Sequence, residues 1–186
     1  MRYNLTDQSV PEKHSTTKRL FLALLPDNLL IKQLTGLQKN IPGRKTPPEN
    51  LHLTLAFLGN QPDSVVSELT NFLDRLEFSP FSLLLDKIGW FPKIRLGWIG
   101  PATVPAALIH LHRTTRQFLV PSYITDKKET FRPHITLARQ SVSADMKISK
   151  PIVWYVNRLA LMQSVLNAEP GKHPRYHILH ETTART

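Results

Sequence analysis

The chain of 186 residues contains no cysteine. That excludes disulfide staples, thiol nucleophiles and thiolate metal sites, and it is the usage expected of a reducing cytoplasm. Long apolar runs are missing as well. The early stretch Leu20–Leu25 is too short for a signal-peptide core or a bilayer span, and Pro26 and Asp27 end it at once. The expectation is a soluble, cytoplasmic protein with no membrane association. No HExxH zinc signature occurs. His110 and His112, the nearest approach to a cluster, are two apart on an expected helix and so point to different sides; they, His14, His173, His177 and His180 are expected to be surface or partly buried, with His177 able to line a cleft. Acidic residues are scarce, 14 against 24 Lys and Arg, for a formal charge of +10. Such a field draws polyanions by counterion release and favours nucleic acid or a phosphorylated ligand, although a generally basic surface gives the same count.

Hydrophobic residues make up 41% of the chain, enough for a sizeable core in one domain or two intimately packed lobes. Residues 1–18 are polar and aperiodic and are expected to form a flexible tail. From Arg19 the pattern alternates. A buried strand leads into a helix opened by Pro26 and Asp27, with Leu30, Leu34, Leu37 and Ile41 on one face. A basic, Pro-rich loop at 43–50 precedes strand LHLTLAFLG, and Val65, Leu69, Leu73 and Leu76 mark a second helix. Strands FSLLLDKIGW and IRLGWIG follow, then a helix with Val104, Leu108, Leu111, Thr115 and Phe118 inward, a polar TDKKET turn, strand FRPHITLAR, and two last strand regions, PIVWYVNRLALMQSVL and PRYHILH. The order predicts a duplicated α+β unit: two pseudo-symmetric lobes, each with a mostly antiparallel sheet and outer helices, and a cleft between them.

The duplication shows most sharply in HLTLAF at 52–57 and HITLAR at 134–139. At this composition the pentapeptide His-x-Thr-Leu-Ala is expected roughly 0.006 times by chance, so two copies require a cause. Side chains alternate along a strand, so His52 and Thr54 share one face and His134 and Thr136 another, while Leu53, Leu55, Ile135 and Leu137 enter the opposite layer. If the lobes face each other, two imidazoles and two hydroxyls converge. One imidazole can act as general base and the other as general acid, with the hydroxyls hydrogen-bonding phosphate oxygens, and no metal or other cofactor is called for. An imidazole suits both tasks because its ordinary pKa is about 6.5.

Paired His-x-Thr-x motifs, here His52-Leu53-Thr54-Leu55 and His134-Ile135-Thr136-Leu137, resemble the signature of the two-histidine phosphoesterase superfamily. RLFLALLP, PENLHLTLAFLG, IRLGWIG, FRPHITLAR and the strand ending in QSVL narrow the resemblance to LigT-like RNA 2′,3′-cyclic phosphodiesterases. The resemblance spans residues 19–181, taken as a single bilobal domain, and leaves out the tail. It implies metal-free hydrolysis of a 2′,3′-cyclic phosphate on an RNA end, tRNA-like or oligonucleotide, to a 2′-phosphate. It also implies reversible 2′,5′ joining of RNA ends and a monomeric enzyme. By motif position it carries over His52 as proton donor and His134 as proton acceptor, with Thr54 and Thr136 holding the phosphate. The basic end AEPGKHPRYHILHETTART departs from the family's more apolar ending, which leaves the edge of the second lobe open.

Three further residues are candidate substrate contacts. Arg132, two before His134, is expected to share its face, whereas Arg139 lies an odd number of residues away and is expected to point the other way. Arg44 and Lys45, in the loop before the first motif, are candidates for RNA-backbone contact. Two rival functions remain: a two-histidine phosphoesterase of small cyclic nucleotides or nucleotide-sugar cyclic phosphates, and a non-catalytic RNA-binding module. Aromatics at only 8% and the lack of an RNP-like motif speak against the second.

Overall fold

The computed structural model of the chain describes residues 16–123, 130–142, 148, 150–167, 169 and 172–185. Residues 1–15 of the expected tail, His14 among them, and most of the TDKKET turn lie outside these. Ten strands and three α-helices are described: β1 (Thr17–Leu24), α1 (Asn28–Gln38), β2 (Arg44–Lys45), β3 (Leu53–Pro62), α2 (Val66–Arg75), β4 (Phe81–Leu85), β5 (Lys87–Phe91), β6 (Leu96–Gly100), α3 (Ala106–Leu119), β7 (Ile135–Arg139), β8 (Ile152–Val156), β9 (Arg158–Val165) and β10 (Arg175–Thr183). Thr17 and Lys18, assigned to the tail from the sequence, belong to β1. Thr16 donates its hydroxyl to Asp63 and Lys18 pairs with the same carboxylate at 2.7 Å, so Asp63 draws Thr17 and Lys18 into β1. At the other end β10 runs past residue 181 to Thr183.

Eight strands form one antiparallel sheet in the order β10-β9-β1-β3-β7-β6-β5, with β2 also on β7. It has two arms. They meet at a single backbone pair, Leu53 with Ile135, after which β3 leaves and β2 takes up the edge of β7 at Ala138 and Arg139. The arms are not successive halves of the sequence: the arm carrying β1 and β3 is completed by the C-terminal β9 and β10, and β7 recruits β2 from the first half. The helices follow the apolar spacing. Asp27 caps α1 by accepting from the Leu30 amide at 2.7 Å, and Leu30 and Leu34 are buried. Helix α1 packs against β7 and β8, α2 against β9 and β10, and α3 against β3, so the helices lie across the arms and close one continuous core. FSLLLDKIGW breaks at Asp86, because Leu83 and Leu85 turn inward in a separate ladder of β4 with β8 while β5 joins the large sheet.

Each histidine motif contains a bulge at the same residue. On β3, Ala56 faces Leu22 and Thr54 faces Ala23, which leaves Leu55 as an extra residue. On β7, Ala138 faces Gly97 and Thr136 faces Trp98, which leaves Leu137 extra. A bulge turns two consecutive side chains to one side and reverses the alternation beyond it. Leu55 and Ala56 accordingly both enter the core, as do Leu137 and Ala138. A small second residue is what the core accommodates beside the leucine, which explains the shared Leu-Ala. The β7 bulge is held from α1: buried Gln38 donates from Nε2 to the Leu137 and Thr46 carbonyls at 2.8 Å each, and the Thr46 amide donates to Leu137 at 2.9 Å. Gln38→Leu deprives the Thr46 carbonyl of this donor and should cost about 1–3 kcal/mol in urea unfolding. Unchanged stability would mean the latch is dispensable.

Candidate active site

Where the arms diverge they line a cleft of about 490 Å³ whose walls carry His52, Thr54, His134 and Thr136. The two imidazoles are held in the same way. His52 Nδ1 lies 2.8 Å from the Asn50 carbonyl and His134 Nδ1 2.7 Å from the Arg132 carbonyl. A carbonyl only accepts, so each Nδ1 carries a proton and each Nε2 is left free for the cleft, where that of His52 sits 3.1 Å from the Thr54 hydroxyl. Aromatic rings brace both. Phe21 and Tyr176 lie 5.0 and 5.2 Å from His52, and Phe91 and Trp98 lie 5.1 and 6.3 Å from His134. Trp98 can lie flat because its partner is Gly89, where a Cβ would come within 2.2 Å of the indole.

The bulges also decide what else reaches this space. Past Leu137 the alternation reverses, so Arg139 joins the cleft wall, and past Leu55 Phe57 does so at the matching position. Arg139 was expected to point away; the extra residue is why it does not. Arg132 precedes the strand; together with His134, Lys87, Phe91 and Val104 it lines a pocket beside the cleft, and it is not on the cleft wall that carries Thr136 and Arg139. Its backbone carbonyl accepts from His134 Nδ1. Lys45 donates its ammonium to the Ile41 carbonyl, just past α1, and is not on the cleft wall. Arg44 lies in a neighbouring depression beside Arg175 and His177. His173 and Tyr176, from the basic C-terminal stretch, line the cleft itself. Among the described residues no three His, Asp or Glu side chains gather as metal ligands, and no helix is long and apolar enough to cross a membrane.

This arrangement has known counterparts. The sequence pattern of the LigT-like phosphoesterases matches residues 25–98. The RNA 2′,3′-cyclic phosphodiesterase of Escherichia coli K12 is 33% identical over 70% of this chain and 76% of its own length. The chain belongs to the LigT-like phosphoesterase family. The protein of the same name from Thermus thermophilus is 31% identical over 90% of both chains. The crystal structure of E. coli LigT complexed with 3′-AMP superposes with a TM-score of 0.80 at 29% identity, over 92% of this chain and 100% of that one.

In this LigT-like cleft the electrostatics are set by burial and by cations. Burial pushes the His52 imidazole down to about 4, against the Asn50 carbonyl, with smaller contributions from His134 and Arg139. Burial also lowers His134, opposed by the Arg132 carbonyl and aided by Arg139. Among the described residues no carboxylate lines the cleft to offset these cations. Both rings are therefore neutral in the empty site near neutrality, and an anion placed between them and Arg139 would favour their protonation. Arg139→Ala should raise the inhibition constant of inorganic phosphate about tenfold or more, the worth of a charge-assisted hydrogen bond, whereas Arg132→Ala should leave it nearly unchanged. The reverse order would restore the unbulged register.

Proposed function

We propose that this chain hydrolyses the 2′,3′-cyclic phosphate at the 3′ end of RNA to a 2′-phosphate, as a cytoplasmic monomer, by metal-independent acid–base catalysis. The observation that carries this is the matched pair of imidazoles, each with Nδ1 tied to a carbonyl and Nε2 turned into one cleft beside threonine hydroxyls. Relatives named RNA 2′,3′-cyclic phosphodiesterases support the choice of substrate.

The cyclic phosphodiester anion sits between the two motifs, its non-bridging oxygens taking hydrogen bonds from Thr54, Thr136 and the Arg139 guanidinium. His134 Nε2, neutral, removes a proton from a water as the water oxygen bonds to phosphorus. The P–O3′ bond breaks on the opposite side, and His52 Nε2–H gives its proton to the departing 3′ oxygen, leaving the phosphate on O2′. A 5′-hydroxyl in place of the water would give 2′,5′ joining by the same proton transfers. The general acid must be charged, yet burial holds His52 near 4 in the empty cleft. The substrate's own charge supplies what is missing, because an anion beside an imidazolium raises its pKa.

His52→Ala and His134→Ala should each lower kcat about 10²- to 10⁴-fold on an RNA oligomer ending in a cyclic phosphate, with the double variant little worse, and EDTA should leave the wild type active. Phosphorus NMR of the product should show a 2′-phosphate. Abolition of turnover by EDTA with rescue by a divalent ion, or a 3′-phosphate product, would refute the proposal. Because substrate charge raises the acid's pKa, the alkaline limb of the kcat profile should lie at higher pH than that of kcat/KM, which reports the free enzyme. Coincident limbs would mean the anion does not tune His52.

A further inference from the structure

Beside the cleft, and sharing Asn50, His173, Pro174 and Tyr176 with it, lies a second depression of about 590 Å³ lined also by Arg44, Arg175 and His177. Its charge is one-sided. Lys172 is occupied by Glu169 at 2.5 Å, and among the described residues Glu49 is the one carboxylate on the wall. The informative group is Arg44. Its Nε and Nη1 are buried and have no hydrogen-bond partner among the described residues, and the same holds for Nε2 of His173. Buried guanidinium donors without an acceptor are costly, and an anion reaching the guanidinium from the depression it lines would offset that cost. Burial and the adjoining Arg44 hold the His173 imidazole below its ordinary value, against the Lys45 carbonyl, so the ring is neutral beside Arg44 and an anion between them would favour its protonation.

We propose that Arg44, with His173 and Arg175 around it, forms a second phosphate site that takes the phosphodiester one nucleotide upstream of the cyclic end. This rests on the hydrolytic function proposed above. A 2′,3′-cyclic phosphate closes the 3′ end of its strand, so the only backbone that can continue from the cleft runs in the 5′ direction, and the first group it meets there is that phosphodiester. The depression adjoins the cleft along Asn50, Pro174 and Tyr176, so a chain seated at the histidines has a continuous path to Arg44. The site makes the protein a reader of RNA ends in preference to free cyclic nucleotides, through charge and without regard to base.

Three substrates test it: adenosine 2′,3′-cyclic phosphate, the dinucleotide CpA ending in the same cyclic phosphate, and that dinucleotide with an uncharged methylphosphonate linkage. The wild type should favour the charged dinucleotide over both others by about tenfold or more in kcat/KM, the worth of a charge-assisted hydrogen bond. Arg44→Ala should remove that preference while keeping turnover of the mononucleotide, which also reports that the variant folds. If the wild type does not distinguish the charged from the uncharged linkage, the second site is wrong and the hydrolytic function stands. Equal loss on all three substrates in a folded Arg44→Ala would place Arg44 at the first phosphate and overturn the inference. Should no substrate be turned over, both proposals fall. If Arg44→Ala does not fold, the wild-type comparison of linkages decides alone.

Discussion

One extra residue in each of two strands, Leu55 in β3 and Leu137 in β7, governs which side chains reach the cleft. A regular strand would send alternate residues to the sheet's two faces, and His-x-Thr would be followed by a third cleft residue at Ala56 or Ala138. The bulge instead puts Leu and Ala together into the core and presents Phe57 and Arg139 to the substrate side. The arms of the sheet touch at Leu53 and Ile135, immediately beside both histidines. The cleft is thus made by strands that meet once and part, and its depth follows from how soon they diverge. Burial of Leu53, Ile135 and Leu137, each with no exposed surface, fixes that junction through the same core that α1 and α3 close.

The matched motifs produce unmatched environments. His52 lies between Phe21 and Tyr176, and burial lowers it to about 4; His134 sits by Phe91 and Trp98 and is lowered as well. The position after Leu-Ala differs in kind, an apolar ring on one arm and a guanidinium on the other. Pseudo-symmetry therefore supplies two similar imidazoles in unlike surroundings, with Arg139 beyond His134 on β7, Phe57 at the matching place on β3, and Arg19 of β1 also on the cleft wall. An asymmetric reaction, in which one proton is taken and another given, suits such a site.

Much of this was legible in the sequence, and the exceptions have physical causes. Helical spacing places Leu30 and Leu34, Leu69 and Leu73, and Leu108 and Leu111 where the helices bury them. The repeated pentapeptide marks the strands at the centre of the sheet. Arg139 was misplaced because an alternation rule presumes an unbroken ladder, although the conspicuous Leu-Ala after each His-x-Thr was the visible trace of the bulge. Arg132 shares a pocket with His134 but not the cleft wall, because Pro133 keeps residues 131–134 out of β7. His173 and Tyr176 were missed since nothing local reveals that the last strand pairs with β9 and returns to the first arm. That pairing is long-range.

The account turns on the division of labour between the two histidines, and a leaving group that needs no proton tests it directly. A 3′-deoxynucleoside 2′-phosphate esterified with 4-nitrophenol releases a stable phenolate, so the loss of a general acid should matter little for its hydrolysis while the loss of a general base should still be felt. Measured as the ratio of its kcat/KM to that of the cyclic phosphate, His52→Ala should be rescued far more than His134→Ala. Equal rescue, or rescue of His134→Ala instead, would contradict the assignment of His52 as acid and His134 as base.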